Sequence, residues 1–260
     1  MVMRIGGAAA ALMLVAAVTV SCSVAVDGVA KPAPNLKPRP LQGQTVRQVL
    51  LDSATLSRML DQPFGARNPV MFGGPEKLYR VDRQVSPPGC LGIVEMLQAS
   101  VYQSGSSGTP VTDVASESWW NNGQPAQVIT VIEGVVALTS AAQAQALFGQ
   151  FSQQWQQCNG RTVTEHSGPI STTNVISDVR IDSSNTVVAA TNNATSVLPN
   201  MPALRPTPQA RALGVRANCL VEVQVVFFGG RRSSDPGTGD VNTSGIDIAH
   251  AMMDRVSALG

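Results

Sequence analysis

Histidine is almost missing from this chain: only His166 and His250 occur in 260 residues. Neither has a second histidine at metal-ligand spacing, and no H-E-x-x-H, C-x-x-C or G-x-S-x-G is present. Those gaps remove the common zinc-hydrolase, dithiol and serine-hydrolase readings. Gly229-Gly230-Arg231-Arg232 lacks the lysine and Ser/Thr of a phosphate loop. Glu165-His166, beside Gly168-Pro169, reads as a solvated loop, and His250 reads as a surface residue of a terminal helix. No catalytic residue, metal or cofactor is therefore expected. Charge is scarce as well, at 13% of residues, and 18 Lys and Arg stand against 17 Asp and Glu. Removing Arg4 with the leader brings the balance to zero. With no basic run either, nucleic acid is excluded as a partner.

The one long apolar run lies at the N-terminus. Arg4 is followed by an uninterrupted stretch from Ile5 to Val20 with no stop-transfer flank, which reads as a secretory signal over residues 1–21. It ends in Val18-Thr19-Val20-Ser21-Cys22, which resembles a bacterial lipobox. That resemblance implies lipidation of Cys22 and a membrane contact through the acyl chains. Lys31-Pro32-Ala33-Pro34 and Lys37-Pro38-Arg39-Pro40 follow, and proline at this density makes residues 22–44 an extended tether. At ~3.1 Å per residue its reach is on the order of 60 Å.

Residues 45–260 are long enough for one sizeable core, and no repeat divides them. Leu50, Leu51, Leu56, Met59 and Leu60 form a helical patch from Asp52 to Asp61, closed by Pro63 and Gly65. Asn68 to Gly74 reads as a loop. Pro87-Pro88-Gly89-Cys90 introduces a short helix with Ile93 and Leu97 on its apolar side. Gln103 to Thr109 is flexible by composition, and Asn121-Asn122-Gly123 marks a turn. Gln127 to Leu138 predicts a strand, or a strand pair bent at Gly134.

The central element is the helix from Ser140 to Gly160, where Ala144, Phe148, Phe151, Trp155 and Cys158 form one apolar stripe. Ser140 with Gln143 gives a capping box, and Asn159-Gly160 stops the helix. Beyond it the period changes. Thr162–Thr164, Val175–Ile181 and Val187–Ala189 are strand material, Asn192 to Pro208 is turn-rich, and Arg211 to Gly230 supplies another strand pair. Val221, Val223, Val225 and Phe227 alternate there with Glu222, Gln224 and Val226. Ser244 and Asp247 cap a last helix whose face is Ile248, Met252, Val256 and Leu259. The sum is a mainly antiparallel sheet covered by helices.

With Cys22 spent on lipid, Cys90, Cys158 and Cys219 allow at most one internal bridge and leave one thiol over. Cys219 falls in an alternating buried run and suits a free thiol. Cys90 and Cys158 sit at helix ends, where a bridge would join the first half of the domain to the central helix.

W-x-x-C-N-G at Trp155 to Gly160, the helix before it, Pro88 to Cys90, and Arg216 to Val225 resemble the extracellular sensor-like domain of mycobacterial membrane-spanning serine/threonine kinases. The arrangement is similar to the stand-alone lipoprotein form of that domain, over about Val46 to Leu259. The resemblance implies a single α+β domain with a cleft, a Cys90–Cys158 disulfide, and binding of an extracellular ligand. It also implies a second bridge, from Cys219 to a cysteine near Ser183 or Ser184, which this sequence lacks. No kinase segment is present, so any signal passes through a partner.

For a ligand site the sequence offers Trp119 and Trp120, since neighbours on an extended backbone face opposite ways and one indole can line a cleft while the other packs. Missing catalytic groups and weak charge point to a small apolar or lipid-like ligand. The leading reading is a non-enzymatic envelope lipoprotein on the extracytoplasmic face of the membrane. A structural or adaptor protein that binds an envelope partner is the alternative, and a hydrolase ranks last.

Overall fold

The computed structural model describes residues 39–80, 84–103, 110–230 and 234–260. The signal segment, Cys22 and almost all of the tether lie outside them, as do residues 104–109 of the flexible stretch and Arg231-Arg232.

Two short helices open the domain, α1 (Gln44–Arg47) and α2 (Ser53–Leu60). Asp52 caps α2 by accepting the Thr55 amide, which satisfies one of the first-turn donors. Small strands β1 (Gly65–Ala66), β2 (Met71–Gly73) and β3 (Gln84–Ser86) come next, then α3 (Leu91–Val94) and α4 (Ala99–Tyr102). The long strands are β4 (Val111–Trp120) and β5 (Val128–Leu138), followed by α5 (Ala141–Cys158). A meander of β6 (Thr162–Ser167), β7 (Ile170–Ile181), β8 (Val187–Val197), β9 (Thr207–Arg216) and β10 (Cys219–Phe227) leads to α6 (Ser244–Leu259). The strands make one ten-stranded antiparallel sheet in the order β1-β4-β5-β10-β9-β8-β7-β6-β3, with β2 also on β4. The fold is α+β.

Alternation along each strand separates two cores. Val221, Val223, Val225 and Phe227 of β10 meet α1, α2 and α6 on one face, with Ile248, Met252 and Val256 fully buried. Leu220, Val136, Leu213 and Val188 meet α3, α4 and α5 on the other, against Phe148, Phe151 and Trp155. Leu41 already belongs to the first core, and Asn218 at the β9–β10 turn accepts its amide (2.8 Å) and donates to its carbonyl (3.0 Å). The compact part thus begins before the expected tether boundary at residue 44.

Several local expectations are corrected. Gln143 does not reach the Ser140 amide; its side-chain oxygen accepts the Thr139 and Ser140 hydroxyls, so only half of the capping box forms. The cap expected from Ser244 does not form either: its hydroxyl turns back to accept the Asp240 amide at 2.8 Å, and Thr243 is the N-cap. β5 runs unbroken through Gly134, whose missing side chain makes room for Leu97; a Cβ there would stand 2.9 Å from a Leu97 methyl. Leu97 itself lies outside α3, in the left-handed region at φ 55°. Asn68 to Gly74 contributes β2, Asn192 to Val197 continues β8, and Glu165-His166 lies in β6 rather than in a loop.

Cys90 and Cys158 are joined, with Cα atoms 5.8 Å apart, across a separation of 68 residues. The bridge ties the turn before α3 to the end of α5. Cys158→Ser with Cys90→Ser is expected to cost about 3 kcal/mol, because the unfolded chain regains the entropy of that loop. Guanidinium denaturation of the double variant, compared with the parent, reads this directly.

Cys219 is a buried free thiol, and burial pushes its pKa up to about 12, so it is a small core hydrophobe rather than a nucleophile. At the β7–β8 turn, near the family's second bridge, a carboxylate does the fastening. Asp182 accepts the amides of Thr186 (2.8 Å) and Val187 (2.9 Å) and the Ser184 hydroxyl, and meets His250 of α6 at 3.3 Å. Partial burial works to raise the Asp182 carboxyl, but the hydroxyl and amide bonds together outweigh it and hold the group below its usual range.

Candidate functional site

The face that carries α5 changes character along the strands. Near the β9–β10 turn it is apolar; one step further it holds a buried ion pair. Arg211, with 0% exposure, donates to Glu222 (3.0 Å) and to the carbonyls of Gly92 (3.1 Å), Ile93 (3.0 Å) and Val223 (3.1 Å). Its guanidinium lies 5.5 Å from the Trp155 ring. The second oxygen of Glu222 accepts the Leu97 amide (3.0 Å) and the Tyr102 hydroxyl (2.6 Å). Burial first, and then the carboxylate, raise the Tyr102 pKa well above the usual phenol range. The pair fixes the α3–α4 segment to the middle of the sheet.

Beyond that pair the face is polar and open. Gln224, Gln209, Asn192, Asn174 and Glu165 stand on five successive strands, β10 to β6, and their side chains bond in series. Gln224 (2.7 Å) and Asn192 (3.1 Å) both donate to the Gln209 carbonyl oxygen, Asn192 donates to Asn174 (2.9 Å), and Asn174 donates to Glu165. Thr172 and Ser196 share a hydrogen bond of 2.9 Å beside it. Above this ladder is a groove of about 250 Å³, walled by Val94 and Glu95 and floored by Glu165, Asn174, Gln209 and Gln224. No described Lys or Arg lines it. The two amides and the carboxylate come from positions 59 residues apart in the chain (165 and 224), with no local motif to announce them.

Trp119 and Trp120 do face opposite ways. Trp119 is 7% exposed in the first core, and its indole donates to Glu133 at 3.1 Å, whereas Trp120 is 39% exposed. Register puts Trp120 opposite Thr130, Thr130 opposite Val226, and Val226 opposite Gln209, so Trp120 shares the groove's face of the sheet. Glu133 is fully buried, also accepts the Leu51 amide (3.3 Å), and is pushed by burial to a pKa of about 8. Its cross-strand neighbour Glu117 is raised too, chiefly by partial burial. His166 is exposed and stands next in strand to buried Glu165, so the two side chains point to opposite faces. Among the described residues no group of His, Cys, Asp and Glu is arranged to hold a metal.

An open antiparallel sheet, helices on both faces, and a solvent-facing groove beside a buried ion pair define an α+β domain of the sensor-like kind. Residues 41–255 match the model of the PknH-like extracellular domain, and the chain belongs to that family. The crystal structure of the extracellular domain of PknH from Mycobacterium tuberculosis is similar with a TM-score of 0.66 at 18% identity, over 85% of this chain and 99% of that one. At that identity the likeness establishes the fold. The X-ray structure of an uncharacterized protein of Mycobacterium smegmatis, the Rv0999 ortholog, aligns over 82% of this chain and 96% of that one at 11% identity, with a TM-score of 0.39 that carries no argument. No curated protein matches the chain. The family is extracellular, and no helix among the described residues is long and apolar enough to cross a membrane. Both facts fit an extracytoplasmic location.

Proposed function

We propose that the chain is a lipid-anchored binding module of the cell envelope, non-enzymatic, with its ligand taken in the groove above the Gln224-to-Glu165 ladder. The observation that carries this reading is the ladder itself: a chain of five bonded polar side chains beneath a concave site open to solvent, where a packed core would use apolar residues. Catalysis is not part of it, since Glu165 and His166 cannot act on one substrate from opposite faces of β6. Cys22 supplies the anchor and residues 23–38 the free part of the tether.

The sequence alone points to an apolar ligand, and the groove argues for a polar one. Val94 and Ala194 are its apolar lining residues, too little surface for lipid burial to drive binding. A second reading keeps some support: Trp120, Val197, Met201, Leu204 and Phe228 are exposed and all lie at one end of the sheet, as an adaptor surface for an envelope protein would.

The test uses the full chain purified in detergent from an acylating bacterial host. Intact mass is expected to show cleavage before Cys22 with added acyl mass. Native mass spectrometry is expected to show a reproducible bound species that is lost in Gln209→Leu/Gln224→Leu while circular dichroism is unchanged. An empty domain that instead recovers a defined envelope protein, and loses it in Trp120→Ala/Phe228→Ala, makes the adaptor reading the correct one.

A further inference from the structure

The ladder assigns donors and acceptors in a fixed order. Gln209 spends its carbonyl oxygen on both neighbours, which leaves its two N–H donors for the groove. Gln224 spends one N–H and keeps its carbonyl oxygen. At the far side Glu165 presents a carboxylate, an acceptor only when ionised. Acceptor, donors and acceptor thus follow one another across β10, β9 and β6, with the Thr172, Ser196 and Thr207 hydroxyls between them. A row of this kind is matched by groups that donate and accept at once, and the hydroxyl is the group that does both.

Other chemistries fit less well. An anion would face Glu95 and Glu165 with no described basic side chain in the lining, and Arg211 is committed to four acceptors beneath. A peptide taken as an added strand needs a free sheet edge, and β7 to β10 are paired on both sides. The same face also carries an exposed indole. From Gln209 to Trp120 there are three strand spacings, on the order of 14 Å, which one sugar ring does not span and a short oligosaccharide does.

We infer that the groove binds a neutral oligosaccharide, with hydroxyls seated on Gln209, Gln224 and Glu165 and the C–H face of an outer ring laid on Trp120. This rests on the groove being the ligand site. Desolvated amides left unpaired by a non-hydroxylated ligand would make the site selective for a polyol.

Calorimetric titration of the full chain, held in lauryldimethylamine oxide so that no glycosidic detergent competes, tests it with cellotriose, maltotriose, chitotriose and mannotriose. At least one is expected to bind, about tenfold more weakly in Gln209→Leu and again in Trp120→Ala, whose exposed position leaves the fold intact. Binding by none of the four overturns the inference. So does native mass spectrometry that finds a lipid or peptide lost on groove substitution, which leaves the groove standing as a ligand site. A saccharide that binds with unchanged affinity in Gln209→Leu and Gln224→Leu overturns both readings.

Discussion

Arg211→Ala is expected to cost about 3–5 kcal/mol, because it strands the Glu222 carboxylate in a place that water does not reach. Three backbone carbonyls, of Gly92, Ile93 and Val223, lose their donor in the same step. Glu222→Ala is expected to lose a similar amount through the orphaned guanidinium, the Leu97 amide and the Tyr102 hydroxyl. Because each single change leaves the other partner buried, Arg211→Met/Glu222→Leu is expected to cost much less than the two summed. Urea denaturation of the four proteins measures the cycle. A cost under about 1 kcal/mol for either single variant contradicts the assignment of a desolvated pair.

Stability is also expected to fall as pH rises from about 5 to 8. Glu133 has an ordinary value of 4.5 and a folded value of about 8, raised by burial and partly offset by the Trp119 and Leu51 hydrogen bonds. The unfolded chain releases this proton first, so between these values the folded state binds more protons and each pH unit costs stability. Below the window Glu133 is protonated in both states; above it, ionised in both. The full loss is at most about 5 kcal/mol, and Glu117 acts in the same direction. Asp52 and Asp182, both lowered from 3.8, lose their contribution only in acid below this window and do not offset it. Glu133→Gln is expected to flatten the profile and raise the pH 8 melting temperature on the order of 10 °C. An unchanged slope in that variant would assign the dependence to other groups.

How much of this was legible in the sequence depended on whether a strand or helix faced one environment along its whole length. The stripe from Ala144 to Cys158 and the alternation from Val221 to Phe227 each pack against one continuous core, so period alone revealed them. β8 does not: Val187 to Ala190 are buried, whereas Asn192 to Val197 pass beside the groove, and their polar side chains read as turn. β1, β2 and β3 are too short to show a period and exist through pairing with β4 and β6. Leu97 looked helical because its partner in packing, Gly134, is distant in sequence. Of the candidate site, the opposed Trp119 and Trp120 were visible from strand geometry. The ladder was not, since each of its residues is an ordinary Gln, Asn or Glu until five strands set them side by side.

The fastening of Leu41 has a mechanical consequence. Its amide and carbonyl are both held by the Asn218 side chain, which also donates to Leu138 at 2.7 Å. The Arg39 amide bonds the carbonyl of Gly260 at 3.2 Å, on the last residue of the chain. Tension arriving along the leading segment therefore loads the β9–β10 turn and the end of β5 in the interior of the sheet order, where strands are paired on both sides. Pulling there must shear several strands together, and the groove at the opposite end of β9 and β10 keeps its shape under load.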